Sequence, residues 1–112
     1  MNHFGISEKS YQLILGFFPK FPEVDKVLVF GSRAKGNYKK GSDIDLAIMG
    51  DNCTDRTAMD INGKLNEELP VPYYFDVVCY NQLKHQALKE HIDSVGITLY
   101  ERNYVSAIAS PK

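Results

Sequence analysis

The sequence predicts an α+β domain in which helices flank a mixed β-sheet. Two observations carry this prediction: helical and strand periodicities follow one another along the chain, and 112 residues suffice for one hydrophobic core. The 44% share of hydrophobic residues against 24% charged residues is typical of a globular protein rather than a disordered chain. We therefore expect residues 1–112 to form a single domain.

The first half of the chain predicts one helix and two strands. Apolar side chains recur at helical spacing between Ser7, a typical N-cap, and Pro19, which ends a helix. Residues 27–30 form a short β-prone run, which predicts a central strand covered on both faces. Residues 43–49 alternate in polarity, as a strand does. One face of that strand would hold Ile44, Leu46 and Ile48, and the other Asp43, Asp45 and Ala47.

The second half predicts two helices and two strands. Thr54 is the expected N-cap of a helix that ends before Pro70. Residues 74–80 predict a third strand, and Asp76 interrupts this otherwise apolar and aromatic run. Asn81 is the expected N-cap of a last helix that Gly96 ends, and residues 97–100 predict a closing strand.

Charge and segment composition exclude several classes of protein. Thirteen basic against fourteen acidic residues give a net charge of -1, so no overall positive field would hold a nucleic acid duplex. No apolar run approaches the ~20 residues of a membrane span, and we see no secretory signal, so we expect a cytoplasmic protein. Cys53 and Cys79 form an isolated pair without the spacing of a zinc site, which favours two small buried side chains.

Three carboxylates in or beside strands are the first candidates for chemistry. A carboxylate near a sheet pays a desolvation cost unless it is paired or binds a cation, and Asp43, Asp45 and Asp76 all hold such positions. Because strand side chains alternate, Asp43 and Asp45 point the same way, roughly 6 to 7 Å apart. Oxygen ligands without neighbouring His or Cys favour a hard ion, Mg²⁺ or Mn²⁺.

A candidate phosphate site precedes these acids. Gly31 directly follows the first strand and permits a close backbone approach, while Ser32 offers a hydroxyl and an N–H at the start of a short helical turn. Four cations lie within eight positions here, namely Arg33, Lys35, Lys39 and Lys40. A phosphate cradle beside paired acids predicts a metal-dependent phosphate site.

Other phosphate and metal motifs fit less well. A P-loop needs Lys and then Ser or Thr where Asn37 and Tyr38 stand, and the chain has no Gly-x-Gly-x-x-Gly turn. A calcium loop is excluded by Ala47 and Ile48. A phosphatase with an Asp-x-Asp nucleophile is disfavoured, because here the acids begin a strand instead of following one.

The combined pattern resembles the minimal nucleotidyltransferases (MNT) of the DNA polymerase β superfamily. Gly31-Ser32, ten intervening residues, Asp43-Ile44-Asp45 and the later Asp76 carry the resemblance, which covers roughly residues 24–101. It implies the nucleotidyltransferase fold and transfer of a nucleoside monophosphate from an NTP to an acceptor hydroxyl, with release of pyrophosphate.

The resemblance also implies roles for individual residues. Asp43 and Asp45 would hold two Mg²⁺ ions, and Asp76 would complete the second site and accept a proton. Gly31 and Ser32 would hold the β- and γ-phosphates, and Arg33 would offset charge on the leaving pyrophosphate.

The expected partners follow from the same resemblance. Small proteins of this type are similar to the antitoxins of HEPN/MNT toxin–antitoxin pairs, which transfer AMP from ATP to a tyrosine of a helical toxin. Two alternatives stay open: transfer to a small hydroxylated molecule such as an aminoglycoside, and a binding module that neutralises a helical partner by contact alone. The oligomeric state is open as well. We expect His85 and His91 to be surface or packing residues, and the tyrosines to be core and rim residues.

Overall fold

The computed structural model describes residues 4–102, which form four helices and four strands. Two short 3-10 turns, Phe18–Lys20 and Tyr80–Gln82, extend α1 and follow β3. The elements are, in chain order, α1 (Glu8–Phe17), β1 (Lys26–Phe30), α2 (Gly31–Lys35), β2 (Ile44–Met49), α3 (Asp55–Glu68), β3 (Phe75–Cys79), α4 (Gln86–Val95) and β4 (Ile97–Glu101).

The four strands form one mixed sheet in the order β3-β2-β1-β4. β1 is antiparallel to both β2 and β4, whereas β2 and β3 run parallel. The predicted mixed sheet with flanking helices is confirmed, and so is the central position of β1. The parallel β2–β3 pair requires a crossover, and α3 supplies it.

N-cap residues were predicted for α1, α3 and α4, and two of these three predictions are confirmed. The side chains of Ser7 and Thr54 accept backbone N–H groups from the first turns of α1 and α3, as predicted. The predicted cap of α4 is wrong: His85 fills that position, and its Nδ1 accepts the Leu88 N–H at 3.1 Å. Asn81 lies earlier, in a 3-10 turn, because its Oδ1 accepts the Gly50 N–H at 3.1 Å.

The sheet buries side chains on both faces. On the first, which we call the core face, Ile44, Leu46 and Ile48 of β2 pack with α1 and α3 around a large apolar core. On the opposite face, which we call the α4 face, Phe30 and Ala47 pack against Ile92 of α4. The alternation predicted for residues 43–49 is therefore confirmed over residues 44–49, with Asp43 directly before the strand, and it directs Asp45 towards the α4 face.

Two asparagines of α3 close the free edge of β3. Asn66 accepts the Phe75 N–H at 2.8 Å and donates to the Phe75 carbonyl at 3.0 Å, while Asn62 accepts the Val77 N–H at 2.9 Å. These bonds replace a neighbouring strand and hold the backbone on both sides of Asp76.

Across residues 4–102, every helix is too short or too polar to cross a membrane.

Candidate active site

Three carboxylates meet at one end of the α4 face. Asp45 and Asp76 are direct partners in the parallel β2–β3 register, and Asp43 lies two residues before Asp45 on the same face. The Ile44 N–H donates to the Tyr74 carbonyl at 2.8 Å, which fixes the two strands just where the acids lie. Asp43 and Asp76 are exposed and Asp45 is half-buried, so the group opens to solvent.

The electrostatics of Asp45 reflect both its burial and the two neighbouring acids. Burial raises the pKa of the Asp45 carboxyl above its ordinary value of 3.8, and the negative charges of Asp76 and Asp43 raise it further. His91 and Arg33 oppose these effects. These two opposing effects are the smaller ones, so the positive charge of a bound cation would further stabilise the ionised Asp45 carboxylate.

The turn between β1 and α2 packs directly on Asp45. Gly31 has a φ of +71°, a left-handed conformation that favours glycine, and a Cβ at this position would overlap the Asp45 carboxylate. Phe30 is the register partner of Asp45, so the turn follows immediately beside it. A side chain at Gly31 would thus displace the carboxylate.

Ser32 is the next residue of this turn and lies in the first turn of α2. Its carbonyl accepts the N–H groups of Gly36 and Asn37 at 2.9 and 3.2 Å, which closes the short helix α2. Within residues 4–102 its half-buried hydroxyl has no hydrogen-bond partner. The hydroxyl is therefore available to a ligand, next in sequence to the glycine that packs on Asp45.

His91 is half-buried and packs beside this site, as expected of a packing residue, but its contact with the Gly31 turn was not predicted. Its Nε2 accepts the Gly31 N–H at 3.2 Å, and its ring meets the Phe30 ring edge-on. The signal was present in the sequence, since His91 lies three residues after Leu88 and four before Val95, on the apolar stripe of α4. A polar residue on that stripe must find a buried partner, and Gly31 provides it.

Arg33, which is expected to offset charge on the leaving pyrophosphate, donates to backbone carbonyls rather than to the carboxylates. It is 3% exposed, and it donates to the carbonyls of Phe4 at 2.8 Å and of Ser42 at 2.8 and 3.1 Å. The rings of Tyr38 and Tyr73 lie 5.0 and 5.2 Å from its guanidinium carbon. These contacts use three of its five N–H donors and fix the chain just before Asp43.

The three lysines of the basic segment are differently placed. Lys35, Lys39 and Lys40 are exposed, and none forms an ion pair with a described residue. The Lys39 N–H donates to the Ser42 hydroxyl at 3.0 Å in a tight turn. This turn leads directly into Asp43, so unpaired positive charge stands beside the acids along the chain.

The donor set fits a hard divalent cation. All three side chains supply carboxylate oxygens, and their mutual repulsion is relieved by positive charge. In the part of the chain that the structure describes, no three His, Cys, Asp or Glu side chains stand in a ready-made ligand arrangement. We therefore argue the fit of a cation from three features: the acids share one face of the sheet, they offer carboxylate oxygens, and their negative charges repel one another.

This fold and this grouping of residues agree with a known family. The family model described as "Polymerase beta, Nucleotidyltransferase" matches residues 12–105. The chain therefore belongs to the polymerase beta nucleotidyltransferase family.

Similar proteins give the comparison more detail. A candidate protein adenylyltransferase of Methanocaldococcus jannaschii is 35% identical over 66 residues, 58% of this chain. The match spans 50% of that relative's length. A solved toxin–antitoxin structure with AMP-PNP has a TM-score of 0.67 at 19% identity, over 88% of this chain and 78% of that chain.

A second solved structure contains a tri-AMPylated HEPN toxin of Shewanella oneidensis in complex with an MNT antitoxin. Its matching chain has a TM-score of 0.63 at 16% identity, over 90% of this chain and 77% of that chain. At these identities the two structures support the fold alone.

Proposed function

We propose that this chain is a metal-dependent nucleotidyltransferase that moves AMP from ATP to an acceptor hydroxyl and releases pyrophosphate. The observation that carries the proposal is the grouping of Asp43, Asp45 and Asp76 on one face, beside a glycine turn that packs against Asp45. Membership of the polymerase beta nucleotidyltransferase family supports the reaction class.

In this proposal the three carboxylates hold Mg²⁺ or Mn²⁺. Asp45 would hold the ion together with Asp43 on the same side of its own chain segment and Asp76 on the neighbouring strand. Bound divalent ions neutralise phosphate oxygens and lower the pKa of the attacking hydroxyl.

The remaining residues bind and orient the nucleotide. The Ser32 hydroxyl and backbone N–H donate to phosphate oxygens, and Gly31 permits the close approach because it carries no side chain. His91 keeps the Gly31 amide oriented, and Arg33 fixes the segment that presents Asp43. Asp76, at the exposed side of the site, accepts the proton of the acceptor hydroxyl.

The proposed acceptor is a protein, namely a helical HEPN-type partner. The open position of Asp43 and Asp76 suits an acceptor presented on a large surface rather than one enclosed in a pocket. The name of the M. jannaschii relative and the tri-AMPylated HEPN toxin in the second solved structure support the same acceptor class.

Label transfer tests this function. The purified chain, a HEPN-type protein encoded beside it, Mg²⁺ and α-labelled ATP should give labelled partner, and Asp45→Asn should abolish the label. Asp51→Asn is the matched control, because Asp51 is exposed in the turn that follows the other end of β2. A partner that is neutralised equally by wild type and Asp45→Asn, without label, would instead make the chain a binding module.

A further inference from the structure

Tyr74 is an exposed tyrosine at the edge of the candidate active site. It lies directly before β3, its carbonyl holds the Ile44 N–H, and its side chain is 73% exposed. Because strand side chains alternate, Tyr74 shares the α4 face with Asp76. The β2–β3 register, extended by one residue, makes Asp43 its neighbour across the strands.

Among residues 4–102 the phenol of Tyr74 has no partner, unlike those of Tyr73 and Tyr80. The Tyr73 hydroxyl accepts the Ser7 N–H at 3.1 Å, and the Tyr80 hydroxyl donates to Asp93. Within residues 4–102, Tyr74 has neither a hydrogen bond from its hydroxyl nor a ring contact. Its backbone is therefore fixed while its hydroxyl is available for reaction.

Tyr74 lies on the side of the candidate active site from which an acceptor must approach. In phosphoryl transfer the attacking and leaving oxygens lie roughly in line, on opposite sides of the phosphorus. The Gly31-Ser32 turn, which would hold the leaving pyrophosphate, flanks Asp45 on the β1 side. Asp76 and Tyr74 flank it on the β3 side, where the attacking hydroxyl belongs.

We propose that Tyr74 is itself an acceptor, so that the protein adenylylates its own tyrosine within the same molecule. This inference rests on the proposed nucleotidyltransferase function. Adjacent strands lie about 4.8 Å apart, a spacing that a tyrosine side chain spans when it bends over its neighbour. An AMP group on Tyr74 would then stand over the carboxylates and obstruct the approach of another acceptor.

The step balances with ATP as the only co-substrate. The phenolic oxygen forms a bond to the α-phosphorus, and the bond from that phosphorus to the bridging α–β oxygen breaks. Pyrophosphate leaves with the electron pair of that bond, and the phenolic proton moves to the Asp76 carboxylate.

The experiment is intact-mass and peptide-mapping mass spectrometry of the full chain after incubation with ATP and Mg²⁺. We expect one AMP moiety per chain, located on Tyr74, and the same fraction modified at every protein concentration in a dilution series. Tyr74→Phe and Asp45→Asn should remove the adduct, whereas Tyr73→Phe should retain it. Mapping of the wild-type chain gives the position even where a variant folds poorly.

Three results would overturn the inference. An adduct on another residue, or one that forms only in concentrated protein, contradicts Tyr74 as the intramolecular acceptor. A chain that labels its HEPN-type partner but never itself refutes self-modification and leaves the proposed function standing. A chain that transfers nucleotide to neither refutes both.

Discussion

At the scale of single residues, the close packing of Gly31 on Asp45 couples the backbone to the proposed chemistry. Gly31→Ala places a methyl group against the carboxylate and puts alanine at a positive φ. The backbone cost is roughly 1–2 kcal/mol, and displacement of Asp45 should lower transfer activity on the order of 100-fold. Thermal unfolding and label transfer measure the two effects separately.

Gly36→Ala is the matched control for this variant. Gly36 has a φ of +84°, but a Cβ there meets nothing within 4 Å. It should therefore lose a similar amount of stability while keeping most of its activity. Equal activity losses in the two variants would show that the contact with Asp45 is unimportant.

The raised pKa of Asp45 makes the stability of the metal-free protein depend on pH. Between 3.8 and the raised native pKa, the unfolded chain releases its proton first, so stability falls as pH rises through that window. Asp45→Asn cannot ionise, so it should unfold at a higher temperature than wild type at neutral pH. The difference should disappear as the pH approaches 3.8.

Thermal unfolding in a chelating buffer over a pH series checks this prediction. Asp51→Asn should follow the wild-type curve, because an exposed surface substitution rarely changes stability by more than about 0.5 kcal/mol. Destabilisation of Asp45→Asn at neutral pH would mean that Asp45 holds the fold together.

At the scale of elements, α3 positions β3 through its asparagines. Asn66→Ala removes two hydrogen bonds from the backbone of Phe75, the residue before Asp76, and should cost about 1–3 kcal/mol. Label transfer should fall as well, since the strand that carries Asp76 loses an anchor. Denaturant unfolding measures the loss of stability, and Asn52→Ala, at an exposed position, is the control variant. An Asn66→Ala loss no larger than that of Asn52→Ala would contradict this role.

The elements also show what the sequence alone could predict. The caps Ser7 and Thr54 and the alternation of residues 43–49 are local signals, so helices, strands and the shared face of Asp43 and Asp45 were predictable. The role of Asn66 depends on an edge strand that its own helix meets only after folding. Long-range partners of this kind leave no periodic trace in the chain.

The candidate site residues divide in the same way, into those that a local pattern predicts and those that depend on distant partners. Gly31, Asp43 and Asp45 lie close together in the sequence, so their pattern is recognisable without a structure. The partners of Arg33 were not predictable, because the basic run around it does not indicate the distant carbonyl of Phe4 that it contacts together with that of Ser42. His91 was overlooked because its partner, the Gly31 amide, lies 60 positions away.

At the scale of the whole molecule, the net charge is small, but acidic and basic side chains are concentrated at one end of the sheet. The net charge is -1, yet one end of the sheet combines three carboxylates with a turn whose lysines pair with none of residues 4–102. Positive charge beside the acids attracts a polyphosphate, and metal ions compensate the acids themselves. Binding of nucleotide should therefore depend on the metal.

Metal-dependent nucleotide binding tests the central claim most directly. Calorimetric titration with α,β-methylene ATP, whose α–β bridge resists cleavage, should give saturable binding in Mg²⁺. That binding should vanish in a chelating buffer and in Asp45→Asn, and persist in Asp51→Asn. Equal binding by wild type and Asp45→Asn, or none by either, would contradict a metal–nucleotide site built on these carboxylates.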